Sequence, residues 1–303
     1  MILITGSTGF IGSAMVKYLE ANSFKIRSGS RTKKNNKYWK LDISNKDEVE
    51  KSCENIDSII HLAALDFAQS EKNFEEAKRI NFLSSQNLYN SAVNNGVKNF
   101  IYFSTCHVYG ENLRNNVTEQ IIPKPISNYA KTHYMTENYL NNCLLQKKMN
   151  ISILRLSNIV GCPYTNEMKR WKYVANELCI QAIKNKEIIL NTKGNQKRDF
   201  FSVENLLITI KNLLHLKEKQ LLNGTYNIGS GKSISVLRLA ELISLECKSI
   251  FGFNVDVIIG NVPVKTEDYN YDISKIKKTN IYNKSNSINE SIKKMLIYCK
   301  ENF

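Results

Sequence analysis

The chain has 303 residues, 42% of them hydrophobic and 23% charged, the length and mix of one large α/β domain or of a domain with an elaboration; wholesale disorder is excluded. Lys and Arg total 42 against 28 Asp and Glu, a formal charge of +14, but the basic residues are dispersed and the densest cluster (Arg31, Lys33, Lys34, Lys37) is short, so an anionic small ligand is expected and a nucleic acid is not. No apolar run approaches the ~20 residues of a membrane span, and the N-terminus reads as a strand rather than a secretory signal, so no membrane partner is expected.

Short apolar runs and helical periodicities alternate from the first residue. Residues 1–5 read as a buried strand, and 10–22 as a helix with Ile11, Met15, Val16 and Leu19 on one face. Strands follow over 25–30 and 38–41, then a polar helix over 44–54 and a β-branched strand over 58–63. A long helix is predicted over 74–95, a strand over 99–105, a helix over 127–145 and a strand over 151–159. This alternation predicts an α/β fold built on a Rossmann-type doubly wound parallel sheet. Few strands alternate strictly between apolar and polar residues, as expected when helices cover both faces.

Past Cys162 the pattern changes. Helices are predicted over 171–184, from about 203 and over 236–245, with short strands over 188–190 and 225–228 and a weak helix in the Lys- and Asn-rich tail 272–303. A division into domains 1–162 and 163–303 is expected, the second smaller and of mixed α/β type, with a crossing back to the first left open. The seven cysteines contain no Cys-x-x-Cys pair and only four histidines accompany them, so no metal site or disulfide framework is expected and a reducing cytoplasm fits.

The strongest local signal is Thr5-Gly6-Ser7-Thr8-Gly9-Phe10-Ile11-Gly12, three glycines three apart between the first strand and the first helix. Gly6 permits a tight turn, Gly9 lets a pyrophosphate approach the backbone, and Gly12 lets helix and strand pack closely. The helix N-terminus adds N–H donors and positive potential. Residues 6–12 are therefore expected to hold a dinucleotide, and 1–162 to be the dinucleotide-binding domain. After the second strand, where an acidic residue usually accepts the ribose hydroxyls, stand Ser30 and then Arg31. A guanidinium grips a 2′-phosphate that a carboxylate repels, which favours NADP(H) over NAD(H); the plainer alternative makes Arg31 a solvated loop residue.

Further segments appear in a recognisable order: Leu41-Asp42-Ile43, His61-Leu62-Ala63-Ala64, Asn81, Ser104-Thr105 through Val108-Tyr109-Gly110, Tyr129, Arg155-Leu-Ser-Asn158-Ile-Val-Gly161, Arg198-Asp199-Phe200-Phe201-Ser202-Val203 and Tyr226-Asn227-Ile228-Gly229. With the glycine turn, they resemble the extended short-chain dehydrogenase/reductase group, in its NAD-dependent epimerase/dehydratase family. The resemblance implies coenzyme contacts at Asp42, Ile43, Leu62, Ala63, Ala64 and Asn81. It implies an acid/base role for Tyr129, an oxygen-holding role for Thr105, and substrate contacts at Thr105, Asn158 and Arg198, the last on a diphosphate. A structural ion pair of Arg198 with Asp199 or a neighbouring acid is the alternative for that residue.

The family's lysine four residues past the tyrosine is here His133. It lies on the same helix face as Tyr129, and with an ordinary pKa of ~6.5 its help to the phenol would be weaker and pH-dependent, though it retains the means to hydrogen-bond the nicotinamide ribose. Cys106 and His107 stand where the family's sugar 4,6-dehydratases carry Asp and Glu, so dehydration by that route is not expected. The implied function is an NADP(H)-dependent oxidoreductase on a nucleoside-diphosphate sugar, a 4-ketoreductase. The alternatives are a 4-epimerase that retains NAD(P) and a non-catalytic dinucleotide-binding protein. By analogy a homodimer would form through the helices at 82–95 and 127–145.

Overall fold

The computed structural model describes residues 1–32, 37–110, 115–164, 173–216, 222–262 and 269–303; Lys33 and Lys34 of the basic cluster, and Trp171, where a helix was expected to begin, lie outside them. In chain order the elements are β1 (Ile2–Thr5), α1 (Phe10–Ala21), β2 (Ile26–Ser30), β3 (Trp39–Lys40), α2 (Lys46–Cys53), β4 (Ser58–His61), α3 (Phe67–Lys72), α4 (Phe74–Ala77), α5 (Ser84–Asn94), β5 (Asn99–Thr105) and β6 (Asn115–Val117). They continue with α6 (Asn128–Leu144), β7 (Asn150–Leu156), β8 (Asn158–Val160), α7 (Val174–Asn185), β9 (Glu187–Thr192), β10 (Lys197–Ser202), α8 (Val203–Leu214) and β11 (Gly224–Ile228). The last are β12 (Ser233–Ser235), α9 (Val236–Phe251), β13 (Asp256–Val262), β14 (Tyr269–Tyr271), α10 (Ser274–Lys277) and α11 (Ile288–Asn302).

Two compact units emerge. The first comprises Met1–Glu111, Glu119–Leu156 and Lys211–Asn227; the second comprises Asn112–Thr118, Ser157–Ile210 and Ile228–Phe303. The expected domains 1–162 and 163–303 are each continuous in sequence, whereas these units interleave.

The first unit carries a seven-stranded sheet in the order β11-β7-β5-β4-β1-β2-β3, with parallel pairing along β7-β5-β4-β1-β2-β3. β1 and β4 are buried along their whole length, as strands covered on both faces must be. Leu3, Ile59, Phe100 and Ile151 contribute fully buried side chains to one continuous core, each stabilising the fold by about 1.5–3 kcal/mol. Across the sheet the register aligns Thr5 with His61 and His61 with Tyr102, one polar row near the strands' carboxyl ends.

Three expectations change. The helix expected over 74–95 is split into α4, a π-helical turn at Lys78–Leu83 and α5, and is preceded by α3, which Asp66 and Gln69 start with a reciprocal cap. The strand expected over 151–159 breaks at Ser157, where the backbone N–H turns to the Ile228 carbonyl, and the chain leaves the large sheet for β8. The strand at 225–228 joins the large sheet beside β7 rather than the smaller domain; Asn223 accepts from Ile151 N–H and the Leu222 carbonyl from the Ser152 hydroxyl, which pins that edge.

The second unit holds a β12-β10-β8 sheet and the pairs β13-β9 and β14-β6, with α7, α9 and α11 packed on one another. Among the described residues, no helix is long and apolar enough to cross a membrane and no cluster of metal-ligating side chains occurs.

Candidate active site

The glycine turn is shaped by close approach. Gly6 sits at φ +65°, and a Cβ there would lie 2.9 Å from the Ala63 backbone nitrogen. A Cβ on Gly12 would lie 2.1 Å from the Gly6 carbonyl oxygen, so no other residue fits without moving the turn. Gly9 is the N-cap of α1, closes the turn through its N–H to Gly6 O, and leaves the helix start without an acidic side chain in the first turn. Ser7 is buried and tied through both N–H and hydroxyl to the Gly29 carbonyl, while Thr8 and Gly9 are exposed. Phe10 packs into the core with Ile11 half-buried beside it. A narrow backbone cradle at a helix N-terminus fits the pyrophosphate of a dinucleotide.

The cradle connects to α6 through the polar row. Thr5 Oγ1 accepts the N–H groups of Leu62 (3.2 Å) and Ala63 (3.1 Å) and lies 2.7 Å from His61 Nδ1. His61 Nε2 is 2.8 Å from the Ser85 hydroxyl, which spends its own proton on the Asn81 carbonyl at 2.6 Å. Ser85 must therefore accept from Nε2–H, and Thr5 must donate to Nδ1. Burial, with the charge of His133 adding to it, pushes His61 down to about 3, so this ring is a neutral spacer locking β1 to β4.

Beside His61 stands Tyr102, whose hydroxyl lies 2.7 Å from His133 Nδ1. The Tyr129 ring meets His133 edge to face with centroids 4.5 Å apart. Both tyrosine and histidine are held by α6, which Ser127 caps by accepting from Ala130 N–H, while Tyr129 N–H donates to Glu71. His133 is 4% exposed, and its Nε2 is a buried polar atom with no hydrogen-bond partner. Burial foremost, then the charge of His107, pushes His133 down to about 3. The ordinary value behind the expected pH-dependent help does not hold here: burial disfavours the protonated ring. An orphaned nitrogen beside Tyr129 fits a ribose hydroxyl of a bound coenzyme.

Thr105 ends β5, buried, with Oγ1 accepting the His107 N–H and capping the short turn Cys106–Tyr109. The Asn81 carboxamide is engaged within the protein. The residue is 1% exposed, accepts from Leu65 N–H at 2.7 Å and donates to Thr132 at 3.0 Å, so it ties the segment after β4 to α6. Of that segment, Leu62 and Ala63 are half-buried and Ala64 is exposed.

At the other end of the cradle, Ser30 is buried and Arg31 directly after it is exposed. Asp42 takes two hydrogen bonds from Ser44, and Ile43 is buried beside it. Burial works to raise the Asp42 carboxyl, but those bonds and the charges of Arg31 and Lys40 outweigh it, holding the group below its usual range.

Deeper in the first unit, Arg155 and Glu137 form a bidentate pair, both nearly inaccessible. Burial alone would lower the guanidinium's pKa, and the Glu137 carboxylate overturns that, leaving it above its ordinary value. Arg155 also lies 4.7 Å over the Tyr109 ring, and Tyr109 donates to Asn227 at 2.6 Å.

In the second unit, Arg198 is half-buried on β10 opposite Ile234, and the Asn158 amide donates to the Asp199 carbonyl on the neighbouring strand. The Asp199 carboxylate accepts from Ser230 N–H, the Ser230 hydroxyl and Lys232 N–H, a loop-building role different from the ion pair weighed for Arg198. Thr5 and His61 stand inside quoted segments but were given no role of their own, and Tyr102 and Glu137 carried no sequence signal; strand register and helix packing reveal what they do.

The model of the family described as "NAD dependent epimerase/dehydratase family" matches residues 2–229, three-quarters of the chain. The chain belongs to that family, a family of enzymes. Over its whole length it is 29% identical to a putative UDP-glucose 4-epimerase of Methanocaldococcus jannaschii, covering 99% of that protein. It is 26% identical to a GDP-6-deoxy-D-talose 4-dehydrogenase of Aggregatibacter actinomycetemcomitans, over 80% of this chain and 78% of that one. The crystal structure of the Thermotoga maritima UDP-glucose 4-epimerase with UDP-glucose superposes with a TM-score of 0.85 at 24% identity, covering 99% of this chain and 98% of that one, which shows the shared Rossmann-like fold.

Proposed function

We propose that this family member is an oxidoreductase acting at C4 of a nucleoside-diphosphate sugar, with reduction of a 4-keto group as its direction and NADP(H) as its preferred coenzyme. The observation that carries this direction is the buried His133 imidazole four residues past Tyr129, where no permanent cation stands and burial disfavours a charged ring. A cation there would lower the phenol's pKa and make it a better base; a neutral ring gives no such help, which suits a tyrosine that donates a proton rather than one that removes it. When bound, the reduced coenzyme supplies the hydride. Tyr129 gives its proton to the carbonyl oxygen as that oxygen takes on alkoxide character, and Thr105 holds the oxygen. Arg198 is assigned to the diphosphate and Asn158 to the substrate. Exposed Arg31, in the place of an acidic ribose ligand, supports NADP(H).

The test is to incubate the protein with NADPH or NADH and UDP-, GDP- and dTDP-linked 4-keto-6-deoxy sugars, and separately with the corresponding C4-hydroxyl nucleotide sugars, following the coenzyme by absorbance and the sugar by chromatography. Coenzyme oxidation matched by alcohol formation supports the reading. Inversion at C4 without net oxidation supports the second reading, a 4-epimerase retaining NAD(P), which the names of the relatives favour. Coenzyme binding with neither outcome would make the chain a binding protein. A homodimer through α5 and α6 belongs to the same proposal; exposed Leu83 and Leu145 at the ends of these helices support it.

A further inference from the structure

We infer that Tyr102 is a positioning residue whose hydroxyl holds the His133 imidazole so that its Nε2, with the Ser104 hydroxyl, meets the hydroxyls of the nicotinamide ribose. The inference rests on the coenzyme reading above and adds a residue that neither motif nor spacing marks.

A lysine has one terminal nitrogen that finds its partner by rotating. An imidazole has two nitrogens on different edges, and half a turn about χ2 swaps a nitrogen for a carbon, so a histidine serving as an anchor must be fixed in rotation. Tyr102 does this. Its ring is 3% exposed, it sits in regular ladder register between His61 on β4 and Ile153 on β7, and its hydroxyl meets His133 Nδ1 at 2.7 Å. Tyr129 packs edge to face on the same imidazole. With Nδ1 engaged, Nε2 is the polar atom left over.

Nε2 is buried without a partner, and so is the Ser104 hydroxyl, 4% exposed. Ser104 lies two residues beyond Tyr102 on an unbroken strand, hence on the same face of β5. A buried polar atom without a partner costs stability, and two such atoms on one face beside the acid/base tyrosine suit a ligand carrying hydroxyls. A vicinal diol supplies both donors and acceptors, so either tautomer of His133 is satisfied.

The experiment is calorimetric titration of NADPH into wild type, Tyr102→Phe, His133→Lys and the double variant, with melting curves to confirm folding. Tyr102→Phe is expected to weaken NADPH binding roughly tenfold in the wild-type background and to leave it within about twofold in the His133→Lys background, because a lysine needs no rotational lock. Equal affinity of wild type and Tyr102→Phe, or the same loss in both backgrounds, would overturn the inference. Independently of any variant, ¹⁵N-histidine spectra of the wild type should show His133 Nε2 shifting on NADPH addition with Nδ1 little changed; no response at either nitrogen would also overturn it. A wild type that binds neither NADPH nor NADH would defeat the coenzyme reading itself, a separate outcome from the failure of Tyr102 alone.

Discussion

The Tyr129 phenol and the His133 imidazole meet edge to face, centroids 4.5 Å apart, on successive turns of α6. A tyrosine whose helical neighbour is a buried neutral ring differs chemically from one beside an ammonium group. With His133 held down to about 3, it should contribute no step near pH 6.5 to the rate profile of the wild type.

His133→Lys should place a cation at that position and favour the phenolate. For the oxidative direction, measured with NADP⁺ and the nucleotide-sugar alcohol, the rise of kcat/KM with pH should move to lower pH by about one unit. An unchanged profile would place His133 outside the proton chemistry.

Acid should destabilise the fold through His61 and His133. Both have folded values depressed to about 3, below the ordinary 6.5, so the unfolded chain binds more protons between these limits. Their stabilising contribution is fully present above pH 6.5 and is lost as pH falls toward 3. Between pH 8 and pH 5 each should cost about 2 kcal/mol. Urea unfolding of wild type and His133→Gln at the two pH values checks this: the wild type should lose more stability by that amount, and equal losses would show that His133 is not held neutral.

Gly12→Ala should abolish coenzyme binding, because its methyl group would sit 2.1 Å from the Gly6 carbonyl oxygen and neither backbone segment can yield without opening the cradle. The overlap should also lower stability by about 1–3 kcal/mol. Calorimetry and urea unfolding read both effects; retained affinity would show that the turn does not hold the pyrophosphate.

Arg31→Ala should weaken NADPH binding roughly 10- to 100-fold, the size of a charge-assisted hydrogen bond, and leave NADH within about twofold. Equal affinities before and after the change would make Arg31 the solvated loop residue weighed at the outset.

The parts legible in the sequence were local ones. The cradle lies within seven residues, and Gly6 and Gly12 announce by their spacing the close approaches that the structure shows. The strands β1, β4 and β5 and the helix α6 were set by continuous apolar runs and a 3.6-residue period. What stayed hidden depends on register between distant segments. Thr5, His61 and Tyr102 form a row only because three parallel strands align them. Glu137 reads as one more charge on a helix until Arg155 meets it inside the core. Asn81 looked like a coenzyme ligand because its position matched; the π-helical turn around it directs its carboxamide to Leu65 and Thr132. The break at Ser157 and the return of β11 to the large sheet reflect a chain path that no local pattern encodes.

The most direct measurement follows the label from 4-deuterated NADPH during turnover of a nucleoside-diphosphate 4-keto sugar by wild type and by Tyr129→Phe. Wild type should yield one equivalent of NADP⁺ with deuterium at C4 of the sugar alcohol, and Tyr129→Phe should slow this by roughly 10²- to 10⁴-fold while still binding the coenzyme. Deuterium remaining in the coenzyme with the 4-keto sugar unconsumed, while wild type inverts C4 of the corresponding nucleotide-sugar alcohol, or unimpaired transfer by Tyr129→Phe, would contradict it.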